Sequence, residues 1–185
     1  MSTQPFEQAV ASARSVLAGV QADQMSDPTP CASWDVKELI NHIIGGQHFF
    51  AAGMAGSPPP SDAPDFAAGD YMAAFDEASS QATGAFGEDG ALGRMVTMPF
   101  GDMPGMAVMG LATTDTFTHA WDLAKATGQD TDLEPELAAA LLEQSRTNIQ
   151  DAFRGPEGAP FGPEQQAPEG ASNADRLAAF LGRQI

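Results

Sequence analysis

The sequence predicts an all-α protein that folds as a single domain over residues 1–185. Apolar residues recur at helical spacing along most of the chain, clusters of proline and glycine interrupt that pattern, and strand-like alternation is scarce. A length of 185 residues, 43% of them hydrophobic, is enough to bury one core. No internal repeat or second domain boundary stands out, which favours one domain over two.

Six segments carry the helical pattern, and the breaks between them contain proline or glycine. The predicted helices cover residues 3–24, 35–53, 69–86, 103–127, 135–153 and 172–181. The proline-rich residues 56–64 predict a stiff, extended connection. Residues 92–98 predict a short extended piece, and residues 155–170 predict a surface loop or lid.

Residues with strong terminal preferences set the predicted helix ends. Ser33 is expected to cap the second helix, with Asp35 in its first turn, where a negative charge suits the helix dipole. Gly128 is expected to close the fourth helix in the left-handed conformation, and Pro135 to open the fifth. Ser172 is the expected cap of the last helix.

The charge balance excludes several classes of protein. With 8 basic and 25 acidic residues the net charge is −17, which excludes sequence-independent nucleic-acid binding and disfavours anionic membranes. No apolar run approaches the ~20 residues that span a bilayer, and the first residues lack the features of a signal peptide. A cytoplasmic location is therefore expected. Cys31 is the one cysteine, so an internal disulfide framework is excluded.

An acid–imidazole pair lies four residues apart in the fourth predicted helix. Asp115 and His119 share one helix face, so both side chains can reach one point in space. The same stripe contains the apolar residues Val108, Leu111, Ala112 and Leu123, which a bundle would bury. A buried carboxylate is costly unless a cation or a hydrogen-bond network compensates it, and a metal ion would do so.

A third ligand has to come from one of two remaining histidines in the second predicted helix. His42 and His48 are six residues apart, about 120° out of register, so they cannot easily serve one site. His42 has apolar neighbours on its face and is the better candidate, whereas His48 is expected at the surface. Three ligands from two helices are typical of a catalytic zinc site. The same spacing also fits a core histidine and an ordinary helix ion pair.

Four segments resemble one known family, and together they cover most of the chain in order. They are TPCASWDVKELINH (residues 29–42), PFGDMPG (99–105), HAWDLAKATG (119–128) and DRLAAFLGR (175–183). They are similar to motifs of the mycothiol-dependent maleylpyruvate isomerase-like proteins, within the wider DinB-like superfamily of metal-binding helical bundles. The resemblance implies a DinB-like four-helix bundle with an additional short C-terminal helix.

The resemblance also implies a metal site made of His42, Asp115 and His119. Glu is commoner than Asp at the acidic position of the family. The side chain of Asp115 is shorter by one methylene, which can draw the metal toward this helix, change denticity or weaken binding. Zinc suits the nitrogen and oxygen ligands, and nickel, cobalt or iron would also accept them.

The function implied by the resemblance is metal- and thiol-dependent transfer or isomerisation. The metal would activate a low-molecular-weight thiol, mycothiol or a similar one, toward a small electrophilic substrate in a monomer or homodimer. Two alternatives remain open: a metal-dependent hydrolase-like DinB protein, and a noncatalytic small-molecule binding module with a degenerate site. The sequence has neither a G-x-S-x-G segment nor a P-loop.

Several single residues have both a functional and a structural interpretation. Arg94 and Arg183 are candidate cofactor-binding residues that would anchor a carboxylate of the thiol or the substrate, although ion pairs are favoured in so acidic a chain. Asp122 is either a hydrogen-bond partner of a metal-bound imidazole or a helix-surface charge. Cys31 has no basic neighbour in sequence, which favours an inert, buried thiol. Trp34 is expected in the core, at a helix end or in a pocket wall.

Overall fold

The computed structural model describes residues 2–31, 33–58, 64–155, 159 and 161–185. The described part of the chain forms six α-helices: α1 Gln4–Gly19, α2 Val36–Met54, α3 Tyr71–Gly87, α4 Gly105–Ala126, α5 Pro135–Asn148 and α6 Asn173–Phe180. Two short strands, β1 Met95–Met98 and β2 Gly101–Pro104, form an antiparallel hairpin. The predicted all-α class is therefore confirmed as mostly helical, with a small hairpin that the sequence signalled only in part. The four-helix bundle stays a prediction, as does the single domain.

The first and fifth helices are shorter than predicted. Residues 20 and 149 adopt extended backbone angles, which end α1 and α5, and the residues beyond them form single 3-10 turns at Ala22–Gln24 and Asp151–Phe153. The helical apolar pattern continued past these points, so periodicity alone could not place the ends. The extended connection predicted over residues 56–64 and the surface loop or lid predicted over residues 155–170 lie partly outside the described residues.

The hairpin replaces the predicted start of the fourth helix. Residues 92–98 were expected to be extended, and only the part from Met95 is a strand. Met103 was expected to be helical but pairs with Val96 in the ladder, so α4 begins at Gly105. Pro104 occupies the N-cap position of α4 in an extended conformation, which suits the fixed φ of a proline ring.

Helix α2 begins with a capping box at Asp35, so the expected cap at Ser33 is wrong. Asp35 Oδ1 accepts from the Glu38 amide at 2.8 Å, and Glu38 Oε2 accepts from the Asp35 amide at 2.9 Å. The extended backbone at Asp35 aims its carboxylate at the free amides of the first turn. The end residues predicted at Gly128, Pro135 and Ser172 are confirmed: Gly128 has a φ of 68°, Pro135 is the first residue of α5, and Ser172 accepts from the Asp175 amide.

Helix α4 lies at the centre of the packing. It contacts both α1 and α2, while α3 packs on α1 and α2. Helices α5 and α6 pack on each other, and they contact α1 and α4, respectively. Nearly every residue in its second half, from Thr116 to Ala124, is buried. No helix in the described ranges combines the length and the apolar character needed to cross a bilayer. The contact between α2 and α4 is the one that brings the predicted ligands together.

A glycine pair tests how tightly the start of α4 is packed. Gly105→Ala would drive a methyl group into the carbonyl oxygen of Ala91, so we expect it to destabilise the fold by about 1–3 kcal/mol. Gly84→Ala in α3 meets no heavy atom within 4 Å and should stabilise by up to about 1 kcal/mol through helix propensity. Urea unfolding of both variants measures this difference. Equal midpoints for the two variants would contradict the packing described.

Candidate metal site

The contact between α2 and α4 brings His42, Asp115 and His119 to one point. Oδ1 of Asp115 lies 3.7 Å from His42 Nε2 and 3.6 Å from His119 Nε2. These distances exceed a hydrogen bond, but ligands 2.0–2.1 Å from a tetrahedral ion stand about 3.4 Å apart. All three donor atoms lie within 4.8 Å of one another, so a single ion is within reach of all of them.

One of these donor atoms has no hydrogen-bond partner among the described residues. His42 Nε2 is shielded from solvent and makes no hydrogen bond in the described part of the chain. Most buried polar atoms in proteins are hydrogen-bonded, so such an atom calls for an explanation. It faces the same carboxylate oxygen as His119 Nε2, and a divalent ion between them would satisfy it. The residues present therefore fit a metal.

A glycine on α2 makes room for the carboxylate. Gly46 lies one turn after His42, and a Cβ atom there would stand 3.3 Å from Asp115 Oδ2. That separation is tighter than ordinary van der Waals contact. The bare backbone at Gly46 thus lets the short Asp115 side chain approach the two imidazoles.

The Nδ1 side of the His119 ring lies in a second cluster of polar side chains, formed with Cys31, Asp122 and Arg183. His119 Nδ1 is 3.0 Å from Asp122 Oδ2, and the Cys31 thiol donates to the same oxygen at 3.3 Å. Arg183 donates to both oxygens of Asp122, at 3.1 Å from Nε and 2.9 Å from a terminal nitrogen. Cys31, His119 and Asp122 are close enough to hold a metal. However, the guanidinium already supplies a positive charge there, so the first group is the better metal candidate.

The buried charges of the site stabilise one another. Burial lowers the pKa of His119, but the carboxylates of Asp115 and Asp122 outweigh it and raise that pKa to about 10. Burial raises the pKa of Asp122, yet His119 and Arg183 bring it down to about 2. For Asp115, burial is likewise outweighed by His119 and His42, and the pKa is lowered. Both carboxylates are therefore anionic at neutral pH, and His119 is protonated until a metal ion displaces its proton.

The loop before α2 places Cys31 and Trp34 against the site. The Thr29 hydroxyl donates to the Trp34 carbonyl at 2.8 Å and accepts from the Cys31 amide at 3.1 Å. This fixes the Trp34 ring 4.4 Å from the His42 ring and 5.6 Å from the His119 ring. Trp34 therefore forms a wall of the site, one of the roles that the sequence left open.

The structure separates the two predicted arginines. Arg183 lies beside His119, where its nitrogens are engaged by Asp122 and by the Leu181 carbonyl. Arg94 instead pairs with Glu88 at 3.2 Å and donates to the Met54 carbonyl at 2.6 Å. Both arginines form ion pairs with carboxylates, as the sequence favoured. Their role as cofactor anchors stays a prediction. Within the described residues, Arg94 forms no hydrogen bond or ion pair with the three candidate ligands.

Some predictions about individual residues are wrong. Leu111, expected in the buried stripe with Asp115, is 41% exposed, whereas Val108, Ala112 and Leu123 are buried as expected. Cys31 was expected to be buried and inert, but it is half-buried and contacts Asp122. Two partners of its thiol, His119 and Asp122, lie 88 and 91 residues away in sequence, so no local signal could reveal them. His48 stacks on Phe66, with ring centres 5.7 Å apart, and is not in the group of three candidate ligands.

Two curated proteins are similar to this chain over most of its length. Two uncharacterized proteins of Mycobacterium tuberculosis, from strains CDC 1551 / Oshkosh and ATCC 25618 / H37Rv, are each 43% identical to the chain over 170 residues. The aligned part is 92% of this chain and 91% of each relative. No solved structure matches the chain.

The family described as the mycothiol maleylpyruvate isomerase N-terminal domain matches residues 6–124. The matched part includes all three candidate ligands, His42, Asp115 and His119, and ends within α4. The resemblance seen in the sequence motifs is thereby confirmed. The chain belongs to the mycothiol maleylpyruvate isomerase N-terminal domain family.

Proposed function

We propose that this protein binds one divalent metal ion through His42, Asp115 and His119 and uses it to activate a small thiol. The observation that carries the proposal is the buried, unpartnered Nε2 of His42, which faces the same carboxylate oxygen as His119 Nε2. A divalent ion would complete this arrangement and balance the charge of Asp115. Zinc suits the two imidazoles and one carboxylate, and nickel, cobalt or iron are further candidates.

The ligand number favours catalysis over a structural role. Three protein ligands leave a coordination position for a small molecule, as in catalytic zinc sites. When bound, the ion would favour the thiolate over the thiol, whose unperturbed pKa near 8.5 leaves it mostly protonated at neutral pH. Trp34 would shield one side of the two imidazoles from water, and Asp122 would hold the His119 ring in place.

Family membership supports mycothiol, or a thiol like it, as the small molecule. The family carries the name of a mycothiol-dependent isomerase, and its matched range contains the whole candidate site. The thiolate would attack an electrophilic carbon of a second small molecule, in a transferase or isomerase reaction. The hydrolase-like and noncatalytic alternatives are the rival outcomes of the experiments below.

Metal content of purified variants tests the ligand set. We expect wild-type protein reconstituted with Zn²⁺ and dialysed to retain about one ion per chain. His42→Ala and His119→Ala should weaken binding by more than about 100-fold, since loss of a ligand's outer partner alone costs 10–100-fold. His48→Ala is the matched control, because it removes a histidine of α2 that stacks on Phe66 and should leave metal content unchanged. Equal metal content in the His42 and His48 variants would contradict the proposal.

Substitution of Asp115 tests whether its charge and reach both matter. Asp115→Asn keeps the shape but removes the charge, so we expect at least about a tenfold loss of Zn²⁺ affinity. Asp115→Glu introduces the residue that is commoner in the family and should retain binding. Competition with a chromophoric chelator measures both affinities. Unchanged affinity in Asp115→Asn would show that the carboxylate is not a ligand.

Thermal denaturation with mycothiol tests the thiol. A ligand of the native state stabilises it by RT ln(1 + [L]/Kd), about 2.7 kcal/mol at a hundredfold excess over Kd. We expect a concentration-dependent rise in Tm for metal-loaded protein, and a much smaller rise with S-methyl mycothiol, which cannot ionise. Equal shifts with both compounds would contradict thiol activation. Turnover of esters without any thiol would favour the hydrolase-like alternative.

A further inference from the structure

The C-terminal end of the chain is folded back onto the candidate site. Helix α6 closes with the Gly182 amide donating to the Ala179 carbonyl at 3.0 Å and the Arg183 amide donating to the Ala178 carbonyl at 2.9 Å. These two bonds form a Schellman motif, which requires a left-handed residue after the helix. Gly182 has a φ of 98°, and a Cβ there would lie 2.7 Å from the backbone of Gly162. Only glycine fits this turn, and the turn directs Arg183 toward α4.

The Arg183 side chain meets a carboxylate that is fully buried. Asp122 has no exposed side-chain surface, and Arg183 itself is only 16% exposed. The guanidinium donates to both carboxylate oxygens, which restricts rotation of the Asp122 side chain. The hydrogen bonds from Arg183 compensate the buried charge of Asp122, so this carboxylate stays anionic and holds Oδ2 at a fixed position beside His119.

The orientation of His119 follows from that contact. An anionic oxygen 3.0 Å from Nδ1 accepts a hydrogen bond, so Nδ1 carries a proton both in the charged ring of the metal-free protein and in a neutral ring. Nε2 faces Asp115 Oδ1, the side where the metal would be bound, and it is the nitrogen that would give up its proton to a metal ion. Metal-binding histidines are commonly oriented by such an outer carboxylate, and loss of the outer partner weakens metal binding.

We infer that Arg183 and Asp122 are positioning residues that fix the ring and the protonated nitrogen of His119 for metal binding. The part of this inference that concerns metal binding rests on the proposed function. The part that concerns the orientation of the His119 ring applies to the metal-free protein as well. Arg183 lies outside residues 6–124, so the family match does not assign it a role.

A purely structural role for Arg183 is the competing explanation. Helix α6 is already fastened to α4 at its other end, where the Trp121 indole N–H donates to Asp175 Oδ1 at 2.9 Å. Leu177 and Phe180 of α6 also share a buried cluster with Trp121. Because these contacts hold α6 independently of Arg183, its effect on His119 can be separated from its effect on the fold.

Metal titration of arginine variants tests the inference. Arg183→Met keeps the length of the side chain but removes the donors, and should weaken Co²⁺ binding about 10–100-fold with an altered visible absorption spectrum. Arg183→Lys restores the charge and one donor and should recover part of the affinity. Arg176→Met is the matched control, since Arg176 is exposed on the same helix. Affinity and spectrum of Arg183→Met equal to those of Arg176→Met would overturn the inference.

A measurement on metal-free protein is independent of both metal binding and the stability of the arginine variants. Proton NMR of wild-type protein should show a low-field, slowly exchanging Nδ1 proton for His119, and Asp122→Asn should shift or abolish it. Absence of that proton in wild-type protein would overturn the inference about His119. Wild-type protein that shows the proton but binds no metal would overturn the proposed function and leave the orientation of His119 established.

Discussion

The structure depends on one electrostatic constraint: a carboxylate from α4 lies between two imidazoles at the contact of α2 and α4. Asp115 Oδ1 stands 3.6–3.7 Å from both Nε2 atoms, too far for hydrogen bonds and close to the spacing of ligands on one ion. Removing these groups from water is costly, and the unpartnered Nε2 of His42 leaves part of that cost uncompensated. A cation bound between these groups would offset the cost of burying them. This site is therefore the strongest indication of function in the structure.

The two nitrogens of the His119 ring face different groups. Its Nε2 edge faces Asp115 and the candidate metal position, while its Nδ1 edge contacts Asp122. Arg183 balances the charge of Asp122, so this carboxylate can stay anionic without a metal ion beside it. A chain with a net charge of −17 thus places one of its few arginines at Asp122, a carboxylate buried beside His119.

Local sequence patterns predicted the parts of the fold and site that depend on helical spacing. The pair Asp115 and His119 follows from i and i+4 geometry, and His42 was preferred to His48 because the helix face around His42 is apolar. Contacts between residues distant in sequence could not be predicted: Cys31 meets Asp122 across 91 residues, and Arg183 meets Asp122 across 61. The hairpin was missed in part because Met103 carries the same apolar character in a helix or a strand. Helix ends at residues 19 and 148 depend on backbone turns that periodicity does not encode.

The most direct test of the central claim is anomalous diffraction from crystals grown with Zn²⁺ or Co²⁺. The account predicts one ion about 2.0–2.2 Å from His42 Nε2, Asp115 Oδ1 and His119 Nε2, with a further position left for solvent or a thiol. Anomalous density only at surface carboxylates, with the two imidazoles unchanged and no ion between them, would contradict it.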